Sequence, residues 1–208
     1  MTFFYWFCWR LARSIAQIIF RRKVRGLENI PREGPFILAS NHISLADPPM
    51  LSTSIKRPIH FMAKKELFNI FILGTVIRNL NSHPIHRGFD RRALELAVEI
   101  LKKGDGLLIF LEGTRSRTNG FLPAKPGVGL VALKTGAPII PAYISGSNRL
   151  LACFLGRERL SVVIGKPLDS SESKDYPDTK DGYRMLAEAV MGRISDLKKD
   201  SQKHDRSA

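Results

Sequence analysis

Residues 90–111 constrain the fold more than any other stretch. Leu94, Ala97 and Leu101, widened by Ala93 and Ile100, repeat at helical spacing, with Lys102 and Lys103 in the last turn and Gly104 as the stop. The run Gly106-Leu107-Leu108-Ile109-Phe110-Leu111 that follows is apolar throughout and does not alternate, the pattern of a strand buried on both faces. Such a strand belongs in a sheet covered by helices on both sides. Comparable short apolar runs at 36–39, 59–62, 138–144 and 160–164 supply further strands, and Lys125-Pro126-Gly127 opens a helix that Gly136 closes. The expected fold class is therefore α/β: a mixed, largely parallel sheet flanked by helices. A length of 208 residues suits one such domain.

The turn after the first of these strands carries Asn41-His42-Ile43-Ser44-Leu45-Ala46-Asp47. A hydroxyl is a poor nucleophile until its proton is removed, and an imidazole, with an ordinary pKa of ~6.5, suits that task. A carboxylate bonded to one ring N–H fixes the tautomer and leaves the other nitrogen free to accept. Five residues turn a regular helix by about 500°, which separates the two side chains around its axis. The pair His42 and Asp47 therefore fits a strand end running into a helix, and Asp47-Pro48-Pro49 reads as that helix start. Taken alone, such a pair means little, and a satisfied histidine at an element boundary is the ordinary reading.

Three more stretches follow in order: Pro84-Ile85-His86-Arg87-Gly88, Phe110-Leu111-Glu112-Gly113-Thr114-Arg115-Ser116 and Ala137-Pro138-Ile139-Ile140-Pro141-Ala142. With the first motif they resemble the four sequence blocks of the lysophosphatidic acid acyltransferase family, within the glycerolipid acyltransferases. The resemblance covers residues 25–168, and its first and third blocks are the specific part. The second block departs from the pattern, since His86 precedes the arginine where family members often carry an acidic or amide residue.

The resemblance implies His42 as general base and Asp47 as its orienter, with Lys64 and Arg87 on the phosphate of the acceptor. Arg115 is the second phosphate-binding arginine, Thr114 a hydrogen-bonding partner, Gly113 a point of close backbone approach, and Glu112 an orienter of the cation or of the acceptor hydroxyl. It also implies direct transfer of a fatty acyl group from acyl-CoA or acyl carrier protein to the free hydroxyl of 1-acylglycerol 3-phosphate, giving phosphatidic acid without cofactor or metal. Two other readings stay open: an acyltransferase for another lysolipid acceptor, and a non-enzymatic basic protein that binds anionic membrane or nucleic acid. The order of the motifs favours the enzyme, with no nucleic-acid partner.

Composition enters through charge. The 33 Lys and Arg against 19 Asp and Glu give a net charge of +14, which calls for an acidic partner. At the N-terminus, Arg10 and Arg13 interrupt the apolar run, so it is too short to span a bilayer. Drawn as a helix, it sets Arg10, Arg13, Ser14 and Gln17 against Phe4, Phe7, Leu11, Ile15, Ile18 and Ile19, with Arg21, Arg22, Lys23 and Arg25 following. That arrangement suits an amphipathic helix lying in an anionic leaflet, and packing on the domain's own core is the alternative. Residues 1–24 are accordingly expected as a membrane-interface helix and basic linker, 25–198 as the acyltransferase domain and 199–208 as a disordered polar tail. The expected location is peripheral or monotopic, on the cytoplasmic face. Cys8 and Cys153, far apart, read as reduced thiols.

Overall fold

The computed structural model describes residues 3–85, 91–118 and 120–206. Among the described residues seven strands, β1 (Lys23–Arg25), β2 (Phe36–Ser40), β3 (Ile59–Lys64), β4 (Ser82–Ile85), β5 (Gly106–Phe110), β6 (Ile139–Ser145) and β7 (Ser161–Ile164), form one sheet in the order β1-β7-β6-β2-β5-β3-β4. Neighbours pair in parallel except β6 with β7, so the sheet is mixed and largely parallel. The helices are α1 (Phe3–Ser14), α2 (Asp47–Ser52), α3 (Phe71–Asn79), α4 (Arg91–Lys102), α5 (Gly127–Thr135), α6 (Leu150–Phe154), α7 (Ser170–Lys174) and α8 (Lys180–Arg206).

Strand β2 is central and buried along its whole length. Its side chains alternate between two cores. Phe36 and Leu38 join Tyr5, Trp9, Leu51 and Cys153 on one face of the sheet, while Ile37 and Ala39 join Leu101, Val131, Leu186 and Val190 on the other. Because β2, β3, β4, β5 and β6 run the same way, the chain leaves all five at one edge of the sheet, the edge at which open α/β sheets place their ligands.

The N-terminal segment differs from its sequence reading in one respect. Phe4, Phe7, Leu11, Ile15, Ile18 and Ile19 are exposed as an apolar row, but α1 has a second apolar side, Tyr5, Cys8 and Trp9, that packs into the core together with Ala16 beyond it. Trp9 Nε1 donates to Ser52 O (3.2 Å) and Arg13 to Thr53 O (2.9 Å). Arg22, only 2% exposed, donates to Met50 O, Thr53 Oγ1 and Thr53 O at 2.7–2.9 Å. These three side chains satisfy carbonyls at the C-terminal end of α2, where a helix leaves acceptors unpaired and attracts cations. Burial and the nearby Arg13 pull the Arg22 guanidinium down to about 10, still a cation at neutral pH. Arg13 and Arg22, expected toward solvent and an anionic leaflet, therefore hold the helix that begins with Asp47.

The boundary expected after residue 24 falls inside β1, which pairs with β7 through Lys23, Val24 and Arg25. The polar tail expected from residue 199 is helical as far as Arg206, with Ser201 buried. Tertiary contact overrides the low hydrophobicity of that stretch. Cys8 and Cys153 are free and buried. Among the described residues, no helix is long and apolar enough to cross a membrane.

Candidate active site

The loop after β2 returns on itself around one carboxylate. Asp47 is fully buried at the first position of α2, with Pro48 and Pro49 behind it preset for a first helical turn. Its Oδ2 accepts hydrogen bonds from the Ile43 and Ser44 amides at 2.7 and 2.8 Å, and lies 2.8 Å from His42 Nδ1. Asp47 Oδ1 accepts from Ser147 Oγ at 2.5 Å. The two amides can only donate, so they fix Asp47 Oδ2 as an acceptor, and the His42 Nδ1 contact has the geometry of a ring N–H donated to the same oxygen. The Nε2 lone pair is left free, with no partner among the described residues. The imidazole also stacks on Phe110 at the end of β5, with ring centroids 4.0 Å apart and planes inclined by 18°. His42 is thus locked on one nitrogen and one ring face, and remains partly accessible.

The turn after β5 fixes the backbone of the same residue. His42 N donates to Glu112 Oε1 at 2.9 Å, and the Ser116 amide donates to His42 O at 2.7 Å. The other Glu112 oxygen, Oε2, accepts from the Leu122 amide at 2.8 Å, and the side chain is 1% exposed. Glu112, expected to orient a cation or the acceptor hydroxyl, spends both oxygens on backbone amides and positions the His42 loop instead. Gly113 adopts φ 65°, a left-handed conformation that glycine takes without a Cβ penalty and that turns the chain out of β5. Thr114 and Arg115 follow it at the exposed rim.

Lys64 is exposed at the last position of β3, on the same edge of the sheet. Neither Lys64 nor Arg115 forms an ion pair among the described residues, so both cations are available to an anion. Arg87, two residues past the end of β4, lies outside the described residues, as does His86. Its partner, left open by the departure in the second block, is accordingly open here too. His83, three residues before His86, bonds instead to His60, with His60 Nδ1 and His83 Nε2 2.9 Å apart. Among the described residues, no group of three or more His, Cys, Asp and Glu side chains is placed to hold a metal ion.

Ser147 is the site residue that sequence reasoning missed. It lies 100 positions from Asp47 and arrives through β6, whose pairing with β2 brings Ser145 and the turn beyond it beside the His42 loop. Gly146 makes the turn possible: it sits at φ 80°, and a Cβ there would meet Arg159 O at 2.3 Å. The signal in sequence is slight, a Ser-Gly-Ser at a strand end. Asn41 strengthens the same junction, since its side chain donates to Ile144 O (3.0 Å) and accepts from the Ile144 amide (2.9 Å).

A buried carboxylate, a tautomer-fixed imidazole with one free nitrogen and exposed cations at the C-terminal edge of a parallel sheet define a site for removing a proton beside an anionic group. The chain matches the model of the Acyltransferase family over residues 21–145, and it belongs to that family. It is similar to the 1-acyl-sn-glycerol-3-phosphate acyltransferase of Bacillus subtilis (strain 168), with 29% identity over 93% of this chain and 96% of the relative. The chloroplastic 1-acyl-sn-glycerol-3-phosphate acyltransferase LPAT1 of Arabidopsis thaliana is 31% identical over 82% of this chain, which spans only 50% of that longer relative. Among solved structures, the 1-acyl-sn-glycerophosphate (LPA) acyltransferase PlsC of Thermotoga maritima superposes with a TM-score of 0.72 at 30% identity, over 93% of this chain and 81% of that one.

Proposed function

We propose that this acyltransferase moves a fatty acyl group from an acyl thioester, acyl-CoA or acyl carrier protein, to the free hydroxyl of 1-acylglycerol 3-phosphate and so makes phosphatidic acid. The observation that carries the reading is the His42 Nδ1 to Asp47 Oδ2 contact of 2.8 Å, which leaves Nε2 as the base. In this mechanism His42 Nε2 takes the hydroxyl proton as the oxygen attacks the thioester carbonyl. The tetrahedral intermediate then collapses, the carbon–sulfur bond breaks, and the departing thiolate recovers the proton from the imidazolium. Asp47 stabilises that imidazolium throughout.

Positioning and oxyanion stabilisation supply the part of the rate that a base, worth about 10²–10⁴-fold, does not. Lys64 and Arg115, with Arg87, bind the acceptor phosphate; Thr114 adds a hydrogen bond, Gly113 gives access to backbone, and Glu112 and Ser147 hold the base pair in place. The reaction uses no cofactor. The exposed apolar row of α1 and its continuation, with net charge +14, supports peripheral attachment to an anionic leaflet on the cytoplasmic side, where the lysolipid acceptor resides. The test is conversion of 1-acylglycerol 3-phosphate to phosphatidic acid in detergent micelles with each donor in turn. Turnover with either donor supports the reading, and a protein that turns over other lysolipids but not this one refutes the acceptor assignment.

A further inference from the structure

We propose that α6 and the loop after it form a second bilayer-docking surface, separate from the N-terminal helix and set directly beside the catalytic pair. Helix α6 begins three residues after Ser147, the residue bonded to Asp47. One side of it is buried. Cys153 packs at 2% exposure, with its Sγ donating to Gly146 O, and Leu150 packs on the same core. On its other side Leu151 is 73% exposed and Phe154 58%, and Leu155, the residue after the helix, is 53% exposed. Leu45, in the loop between His42 and Asp47, adds 57% exposure on the segment that Ser147 ties to this one. Large apolar side chains clustered on a short helix at the rim of a site mark a contact surface rather than scattered surface residues.

Charge selects the occupant. Phe20, Arg21, Lys23, Cys153, Gly156, Glu158 and Arg159 line a groove of about 290 Å³ where the end of the N-terminal helical segment meets α6. Besides Arg159 the groove holds the cations Arg21 and Lys23, and its one carboxylate, Glu158, is paired with Arg149. Arg157 is exposed beside it. Apolar side chains bordered by cations fit the boundary between acyl chains and anionic headgroups. The same core packs beneath α1 and α6, since Tyr5, Cys8, Trp9, Ala16 and Cys153 belong to one cluster. Both helices therefore cover one face of the sheet and leave their unburied apolar residues on its outer side. Two contacts fix an orientation that one helix cannot, and they bring the His42 edge to the membrane surface where a lysolipid enters.

The test uses the full chain and vesicles of phosphatidylcholine with about a third phosphatidylglycerol. Leu151→Ser/Phe154→Ser/Leu155→Ser removes the apolar cluster, and Met185→Ser, a 51% exposed residue on α8 across the sheet, is the control. The triple variant is expected to bind vesicles at least about tenfold more weakly, with the control unchanged. The activity arm rests on the acyl-transfer reading: turnover of vesicle-borne lysophosphatidate falls, while turnover of a short-chain lysophosphatidate dissolved as monomers stays at the wild-type rate. A wild type that turns over neither acceptor refutes that reading and leaves the vesicle arm intact. Should the triple variant melt early, Leu151→Ser and Phe154→Ser alone carry the test, with about a threefold loss of binding each. Unchanged binding overturns the proposal. So does a wild type that sediments as a dimer while the triple variant is a monomer of equal vesicle affinity, since the surface is then an interface between copies.

Discussion

Replacing Ser147 with alanine removes one of the four hydrogen bonds that fix Asp47 and the only one to Oδ1 among the described residues. Asp47 is fully buried, so water does not replace the lost donor at no cost. A hydrogen bond to a charged group contributes about 1.5–3 kcal/mol, and the variant is expected to lose about 2 kcal/mol. For a chain of this size that lowers Tm by about 4–8 °C. The three contacts to Oδ2 remain and act as a pivot, allowing the carboxylate to turn and His42 to follow. Misplacement of under 1 Å costs on the order of tenfold in rate. Because Ser147 touches Asp47 and not the substrate, the loss belongs in kcat, with KM for the acceptor unchanged, and Ser147→Thr restores most of it. Initial rates of phosphatidic acid formation against acceptor concentration, with thermal melts of each variant, make the measurement. A wild-type kcat in folded Ser147→Ala, or a loss confined to KM, refutes the coupling.

Other consequences are as specific. Arg22→Met removes three charged hydrogen bonds at the end of α2, leaving Met50 O to Ser54 Oγ and Thr53 O to Arg13, and is expected to cost about 3 kcal/mol in urea unfolding; a loss under about 1 kcal/mol means that the buried guanidinium is dispensable. Lys64→Ala and Arg115→Ala are each expected to raise KM for the acceptor about tenfold with little change in kcat, and an equal rise for an acceptor without phosphate contradicts their assignment. The His60–His83 pair predicts a pH effect on stability. Burial, and then each other's proximity in the case of His60, holds both below the ordinary 6.5, while Asp105 near His60 Nε2 opposes the shift. Below pH 6.5 the unfolded chain binds protons that the folded chain does not, so stability present above that pH is lost as pH falls toward the folded values. Melts from pH 7.5 to 5 are expected to decline in the wild type and to flatten in His83→Gln; parallel curves contradict the account.

The parts of this molecule that were legible in sequence are those fixed by local pattern. The unalternating run of β5 and the helix before it declared a parallel sheet, and a histidine and an aspartate between an apolar strand and a Pro-Pro helix start marked the loop that the structure closes around one carboxylate. What stayed hidden depends on contacts across long separations. Ser147 reaches Asp47 only through the order of β6 and β2. Glu112, which the resemblance makes an orienter of the cation or of the acceptor hydroxyl, turns its side chain inward to two amides. A helical wheel tells which residues of α1 share a side, but not that Arg13, on its polar side, reaches Thr53 O beside the buried Trp9. The C-terminal stretch after residue 198 has the composition of a disordered tail and continues as helix, with Ser201 buried.

The most direct test of the central claim is the turnover of His42→Ala with 1-acylglycerol 3-phosphate and the better of the two thioester donors. With His42 Nε2 as the base, kcat falls by about 10²–10⁴-fold while the protein stays folded and its KM for the acceptor stays near the wild-type value. A folded His42→Ala protein with undiminished kcat contradicts the account, and leaves the 2.8 Å contact between His42 and Asp47 as a strand-end tether and nothing more.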